Sequence, residues 1–192
     1  MCSWCWGYGP VLKQIRQALA GKIEIIDVLG GLAPDTDEPM PEAMQQKIAS
    51  YWRKIQQSLG TEFNFDFWQK NTPRRATYPA CRAVIAAEKQ GAADAMVFAI
   101  QQAYYLRAMN PSDDDTLLQL ADEMSLDFDQ FLQDLEAEST QAELEQQIAF
   151  ARSIGGNSFP SWFLQVGDQF HTIAVDYESA HSTLAAISEL RA

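Results

Sequence analysis

Apolar residues recur with helical period near both ends of the chain and through a long middle stretch, and with strand-like density in two places. Val11, Leu12, Ile15, Ala18 and Leu19 share one helical face, and Gly21 follows where such a helix stops. Residues 22–29 carry Ile23, Ile25, Ile26, Val28 and Leu29 with few polar interruptions, which predicts a strand buried on both faces. Gly30-Gly31 turns the chain, and Pro34, Pro39 and Pro41 break the next stretch. Met44, Ile48, Tyr51, Trp52, Ile55 and Leu59 then predict a second helix ending at Gly60. In residues 62–68 the alternation of Phe63, Phe65 and Phe67 fits a short strand and an aromatic-rich loop equally well.

Residues 78–155 hold only helical periods. Val84, Ile85 and Glu88 precede Gly91, and Met96, Val97, Ile100, Tyr104 and Leu106 follow it, giving two helices. Ser112 is placed to cap a helix through Leu117, Leu118 and Ala121, and Asp127 to cap one through Phe128, Phe131, Leu132 and Leu135. A fifth runs through Leu144, Ile148 and Ala151 to a stop at Gly155-Gly156. Residues 161–165 and 169–173 are strand-like, and Gly167-Asp168 between them suits a type II′ hairpin turn. A last helix over residues 177–190 presents Leu184, Ile187 and Leu190 on one face, with Asp176 and Glu178 near its start. The pattern is an α/β sheet interrupted by an all-helical insertion, dividing the chain into residues 1–72 plus 156–192 and residues 73–155.

Composition narrows the function. The 192 residues are 47% hydrophobic and 11% aromatic, which excludes disorder over most of the chain. With 26 Asp+Glu against 14 Lys+Arg the net charge is −12, so phosphate backbones and anionic lipid are repelled, leaving nucleic acid and membranes as poor partners. No run of apolar residues approaches the ~20 of a spanning helix, and no basic segment with an apolar h-region opens the chain, so a cytoplasmic location is expected.

Three cysteines are too few for a disulfide-stapled scaffold, and two of them form Cys2-Ser3-Trp4-Cys5 immediately before or within a helix start. Such a pair fits redox chemistry or half a zinc site. The zinc reading needs two more ligands, yet beyond carboxylates only Cys81, His171 and His181 remain, without a second C-x-x-C or an H-x-x-x-H. No metal is expected.

Four features together resemble the thioredoxin-fold thiol-disulfide oxidoreductases of the DsbA type, in particular their FrnE-like branch. They are the C-x-x-C, the apolar run ending in Gly30-Gly31-Leu32, the entry Pro73-Arg74-Arg75 through Tyr78-Pro79-Ala80-Cys81-Arg82-Ala83 into a helical insertion, and Gly155-Gly156-Asn157-Ser158-Phe159-Pro160 before a hairpin. The resemblance implies a thioredoxin fold with an all-helical insertion, and catalysis by Cys2 and Cys5. In that fold a strand at an interior position of the sheet precedes the C-x-x-C helix, whereas here the motif begins at residue 2, so the expectation is that residues upstream of Met1 supply it.

The implied chemistry is dithiol-disulfide exchange or isomerisation with protein or small-molecule thiols and disulfides, needing no cofactor besides the Cys2-Cys5 pair, with glutathione a possible co-substrate. A helix N-terminus lowers a thiol's pKa, which suits Cys2 as the attacking sulfur, and Cys5 one turn on can resolve the mixed disulfide. The resemblance also makes Pro160 a cis proline facing the motif, with Trp4, Ser158 and Phe159 as substrate-binding residues, although Trp4 and Phe159 read equally as core. Cys81 reads as a small buried hydrophobe. Arg74, Arg75 and Arg82 are a basic group able to hold a carboxylate such as glutathione's, weighed against ordinary salt bridges. Asp113-Asp114-Asp115 reads as acidic residues at a helix start, and His171 and His181 as structural. Two alternatives stay open: a glutathione-dependent transferase or isomerase of the kappa-class or hydroxychromene-carboxylate isomerase type, which needs no second cysteine, and a non-catalytic adaptor built on the insertion.

Overall fold

A computed structural model describes residues 1–191. The first helix, α1 (Ser3–Leu19), is followed by α2 (Glu42–Leu59) and one turn, α3 (Phe67–Lys70). Five helices come next: α4 (Tyr78–Glu88), α5 (Ala93–Tyr105), α6 (Asp114–Glu123), α7 (Phe128–Glu136) and α8 (Glu138–Ser153). The antiparallel hairpin β1 (Trp162–Val166) and β2 (Gln169–Ile173) and a last helix, α9 (His181–Leu190), complete the order. The hairpin turn is the expected one: Gly167 has φ +59° while Asp168 keeps a negative φ, which a type II′ turn requires and a type I′ turn does not.

Three apolar clusters hold these elements together. Tyr8, Val11, Ile15 and Leu19 of α1 meet Leu164 and Ile173 of the hairpin and Ile187 of α9. In the second, the small residues Ala80, Ala83 and Ala87 of α4 let α5, α6 and α7 close around it through Met96, Ile100, Leu117, Leu120 and Phe131. The third joins the other two. Trp52 of α2 is fully buried, with Phe63, Phe65, Phe67, Trp68, Tyr104 and Tyr105 all within 4.9–5.9 Å between ring centroids. The aromatic alternation of residues 62–68 is therefore a loop leading into α3. It is stapled to the end of α5 where Asn64 donates from its backbone to Tyr105 (2.6 Å) and from its side chain to Leu106 (3.1 Å).

Several expectations are corrected. Residues 22 and 23 finish the turn after α1 and residues 24–29 belong to no helix or strand, and the sheet among the described residues is the β1–β2 hairpin alone. Ile26 is 73% exposed and Val28 36%, so the segment is not buried on both faces; only Ile23, Ile25 and Leu29 turn inward. A run of β-branched residues becomes a strand only beside a partner whose N–H and C=O groups pair with its own, and here Leu29 N–H goes instead to Gln147 Oε1 (2.9 Å). Ser112 does not cap α6: its hydroxyl donates to Ala76 O (2.6 Å), and Asp113 occupies the cap position. The last helix starts at His181 rather than 177 because the Asp176 carboxylate accepts from the N–H groups of Glu178 and Ser179, an Asx turn that competes with helix. Asp127 caps α7 as expected, accepting from Gln130 N–H (3.0 Å).

Because Trp52 is the fully buried centre of the aromatic cluster, Trp52→Ala is expected to destabilise the protein by about 3–5 kcal/mol, measured by urea unfolding. A loss below about 1 kcal/mol would show that the aromatic cluster collapses around the gap.

Candidate active site

Cys2 occupies the N-cap position of α1, with extended backbone (φ −98°, ψ 109°), and its sulfur accepts the Cys5 N–H at 3.2 Å. A capping side chain is normally an oxygen that satisfies one of the free N–H groups of the first turn. Here sulfur takes that place, and ionisation strengthens the bond because a thiolate is the better acceptor at the positive end of the helix. Hydrogen bonding between the two cysteine side chains, aided by the Cys5 N–H, lowers the Cys2 thiol to about 7 against the opposing effect of burial. The same side-chain bond, with burial and the charge of Cys2, holds the Cys5 thiol well above its ordinary value. The two sulfurs are free thiols with divided roles, one ionised near neutrality and one kept protonated.

A second loop faces the motif. The Phe159–Pro160 peptide bond is cis, and the Cys2 thiol donates to Phe159 O at 3.5 Å. The ring of Phe159 sits flat against Gly30, where a Cβ would lie 2.2 Å from Cε1, so only glycine leaves room for it. The Arg152 guanidinium lies 5.8 Å over that ring and donates to the carbonyls of Gly156 and Gly30. The end of α8, the Gly30 turn and the proline loop are thereby tied together behind Phe159. Ser158 is exposed, its Oγ 3.2 Å from Ser161 Oγ. Trp4 packs edge-on against Tyr177 (5.1 Å), and Trp6 stacks on Tyr105 (5.5 Å) while donating to Glu62 O.

Cys2 opens into a cavity of about 410 Å³ whose wall includes Trp4, Tyr51, Arg75, Arg152, Ser158 and Phe159. Trp4 and Phe159 are half-buried, so each is partly core and partly cavity surface. Pro160 lies behind the wall rather than in it. Cys81 is a free, half-buried thiol pushed up to about 11 by burial. Of the basic group, Arg74 pairs with Asp113 (2.7 Å) and Arg82 with Asp35 (2.8 Å) and Gln141 (3.0 Å), while the Arg75 side chain bonds, among the described residues, to the Met44 sulfur alone (3.6 Å). His171 is half-buried on β2 and His181 exposed at the start of α9. Among the described residues no three His, Cys, Asp or Glu side chains gather as a metal site would require. Arg152 and the seating of Phe159 on Gly30 escaped the sequence: a contact spanning 122 residues leaves no local pattern.

Comparison with known proteins gives the chain its relatives. The model of a thioredoxin family matches residues 1–178. A proposed protein disulfide isomerase from Nitrosomonas europaea superposes with TM-score 0.84 at 23% identity, covering 99% of this chain and 92% of that one. The cytosolic disulfide reductase DsbM from Pseudomonas aeruginosa superposes with TM-score 0.78 at 22% identity, covering 100% and 95%, and it has also been solved with GSH. These likenesses establish the thioredoxin fold, most of it helical here. The ClpXP adapter protein SpxH of Halalkalibacterium halodurans is 25% identical over 174 residues, which is 84% of this chain and 55% of that protein. SpxH of Bacillus subtilis is 25% identical over 154 residues, 79% and 50%. The chain thus spans about half the length of the curated relatives it matches.

The pKa order of the three thiols sets their reactivity. Alkylation by iodoacetamide, counted by intact mass at pH 8, is expected to modify Cys2 first, with a rate that rises tenfold per pH unit below about 7 and levels above it. A midpoint at the ordinary ~8.5 would show that the cap does not lower the thiol.

Proposed function

The chain belongs to the thioredoxin family, and from that premise we propose that it is a thiol-disulfide oxidoreductase of the FrnE-like, DsbA-type branch, acting through Cys2 and Cys5. The observation that carries the reading is the Cys5 N–H bond to the Cys2 sulfur at 3.2 Å, at the mouth of a cavity. The Cys2 thiolate attacks one sulfur of a disulfide R–S–S–R′, forming Cys2–S–S–R and releasing R′–S⁻. Cys2 then no longer carries charge or hydrogen-bonds as a thiolate, which removes two of the influences that held the Cys5 proton in place and leaves burial. The Cys5 thiolate attacks the Cys2 sulfur, expelling R–S⁻ and leaving a Cys2–Cys5 disulfide. Two electrons pass from the protein dithiol to the substrate, and the two thiol protons end on the released thiolates. Run backwards, the same steps oxidise a dithiol substrate, and the direction follows the reduction potential against the surrounding thiol pool.

The substrates are protein or small-molecule thiols and disulfides, glutathione among them, and the compartment is the cytoplasm. The neighbour solved with GSH and named a cytosolic reductase supports both. The match to ClpXP adapter proteins supports a second reading, a non-catalytic adaptor, for which the exposed Phe98 of α5 and Phe128 of α7 offer apolar contacts away from the thiols.

The readings separate by experiment. Titration through a glutathione redox series, quenched by alkylation and read by intact mass, is expected to show one two-thiol transition with a midpoint on the scale from about −270 to −120 mV. Cys2→Ser abolishes exchange, and Cys5→Ser accumulates a mixed disulfide on Cys2. Thiols that alkylate independently at every potential would overturn the oxidoreductase reading in favour of the adaptor.

A further inference from the structure

We propose that Arg75 is a specificity-determining residue, selecting small disulfides that carry a carboxylate over uncharged ones; the proposal rests on the oxidoreductase reading above. In a chain of net charge −12, an anionic substrate is repelled unless a cation stands close to the reacting sulfur. Three guanidinium groups line the cavity that holds Cys2: Arg74, Arg75 and Arg152. Two of them already hold protein acceptors, although the buried Nε of Arg74 has none. Arg74 donates to the Asp113 carboxylate and to Ser112 O, with Asp37 a further 3.6 Å partner. Arg152 spends its donors on Gly156 O and Gly30 O, and its face covers Phe159.

Arg75 differs from both. Its terminal nitrogen touches the Met44 thioether at 3.6 Å, a weak acceptor, and it has no oxygen acceptor among the described residues. A guanidinium offers a planar fork of donors that matches a carboxylate, and this one is held in the cavity wall with that fork unused. The rest of the wall mixes apolar and aromatic side chains, Trp4, Leu32, Ile48, Tyr51 and Phe159 among them, with uncharged polar ones such as Asn157 and Ser158. A ligand seated against Cys2 would therefore bury its hydrocarbon there and turn its acid group toward Arg75. A recess of about 410 Å³ between the motif helix and the helical block suits a small molecule rather than the surface of a folded protein.

The test compares two disulfides that share the exchange chemistry and differ in charge. Fully reduced protein is mixed with excess glutathione disulfide, which bears carboxylates, or hydroxyethyl disulfide, which bears none, and the second-order oxidation rate is followed by tryptophan emission with acid-quenched thiol counts as a check. The quantity read is the ratio of the two rates. Arg75→Gln is expected to lower that ratio about tenfold, Arg75→Glu to lower it further, and Arg75→Lys to restore most of it. A ratio indifferent to the residue at 75 would overturn the specificity proposal while leaving disulfide exchange standing. If the wild type is oxidised by neither compound, the oxidoreductase reading fails and the specificity proposal fails with it.

Discussion

The bond from the Cys5 N–H to the Cys2 sulfur is where local structure and chemistry meet. An α-helix leaves its first N–H groups without partners, and something must satisfy them. When the cap is an oxygen the result is stability alone; when it is a sulfur, the same unpaired donors also stabilise a thiolate. The two-residue spacing follows from that geometry, because the residue whose N–H reaches the cap is the one whose side chain lies a turn above it. One interaction thus begins the helix, lowers the pKa of Cys2 and sets Cys5 beside it.

Cys81 stands near a helix start without these partners. Both thiols are half-buried and both stand near a helix N-terminus, yet Cys2 falls to about 7 while Cys81 rises to about 11. Cys81 is the fourth residue of α4, one turn inside it, and its own N–H is already spent on Thr77 O (3.1 Å). Being near a helix start is not enough: Cys2 has the Cys5 thiol and the Cys5 N–H as hydrogen-bond partners, and Cys81 has neither. A difference of this size separates the thiolate fractions by a factor on the order of ten thousand, which is ample to make one cysteine of three the nucleophile.

How much of this was legible from the sequence depended on range. The helices were readable from period and caps, since those signals sit within a few residues of one another, and Asp127 and Gly167 behaved as their chemistry required. Residues 22–29 were misread because strand character belongs to a pair of segments: the β-branched residues were present, but the ladder was not. Ser112 departs from its expected role because a tertiary contact with Ala76 O takes its hydroxyl, and the last helix starts late because the Asp176 carboxylate closes a local Asx turn instead. At the site, the motif cysteines and the Phe159-Pro160 loop could be named, whereas the Arg152 bridge and the Gly30 seat join positions more than a hundred residues apart.

The net charge of −12 opposes a thiolate, and distance resolves the conflict. Surface carboxylates act through water and salt, and beyond a Debye length of about 8 Å their influence on a partly buried sulfur is largely screened. The donors that oppose them act at contact, in a partly desolvated site where each hydrogen bond counts for more. The global field therefore governs which molecules approach, while the first turn of α1 governs what happens to those that arrive. Because the two act on different steps, the chain can be strongly acidic and still keep a nucleophilic sulfur ionised near neutrality. An anionic substrate then faces its main electrostatic obstacle on the way into the cavity, not in the exchange reaction itself.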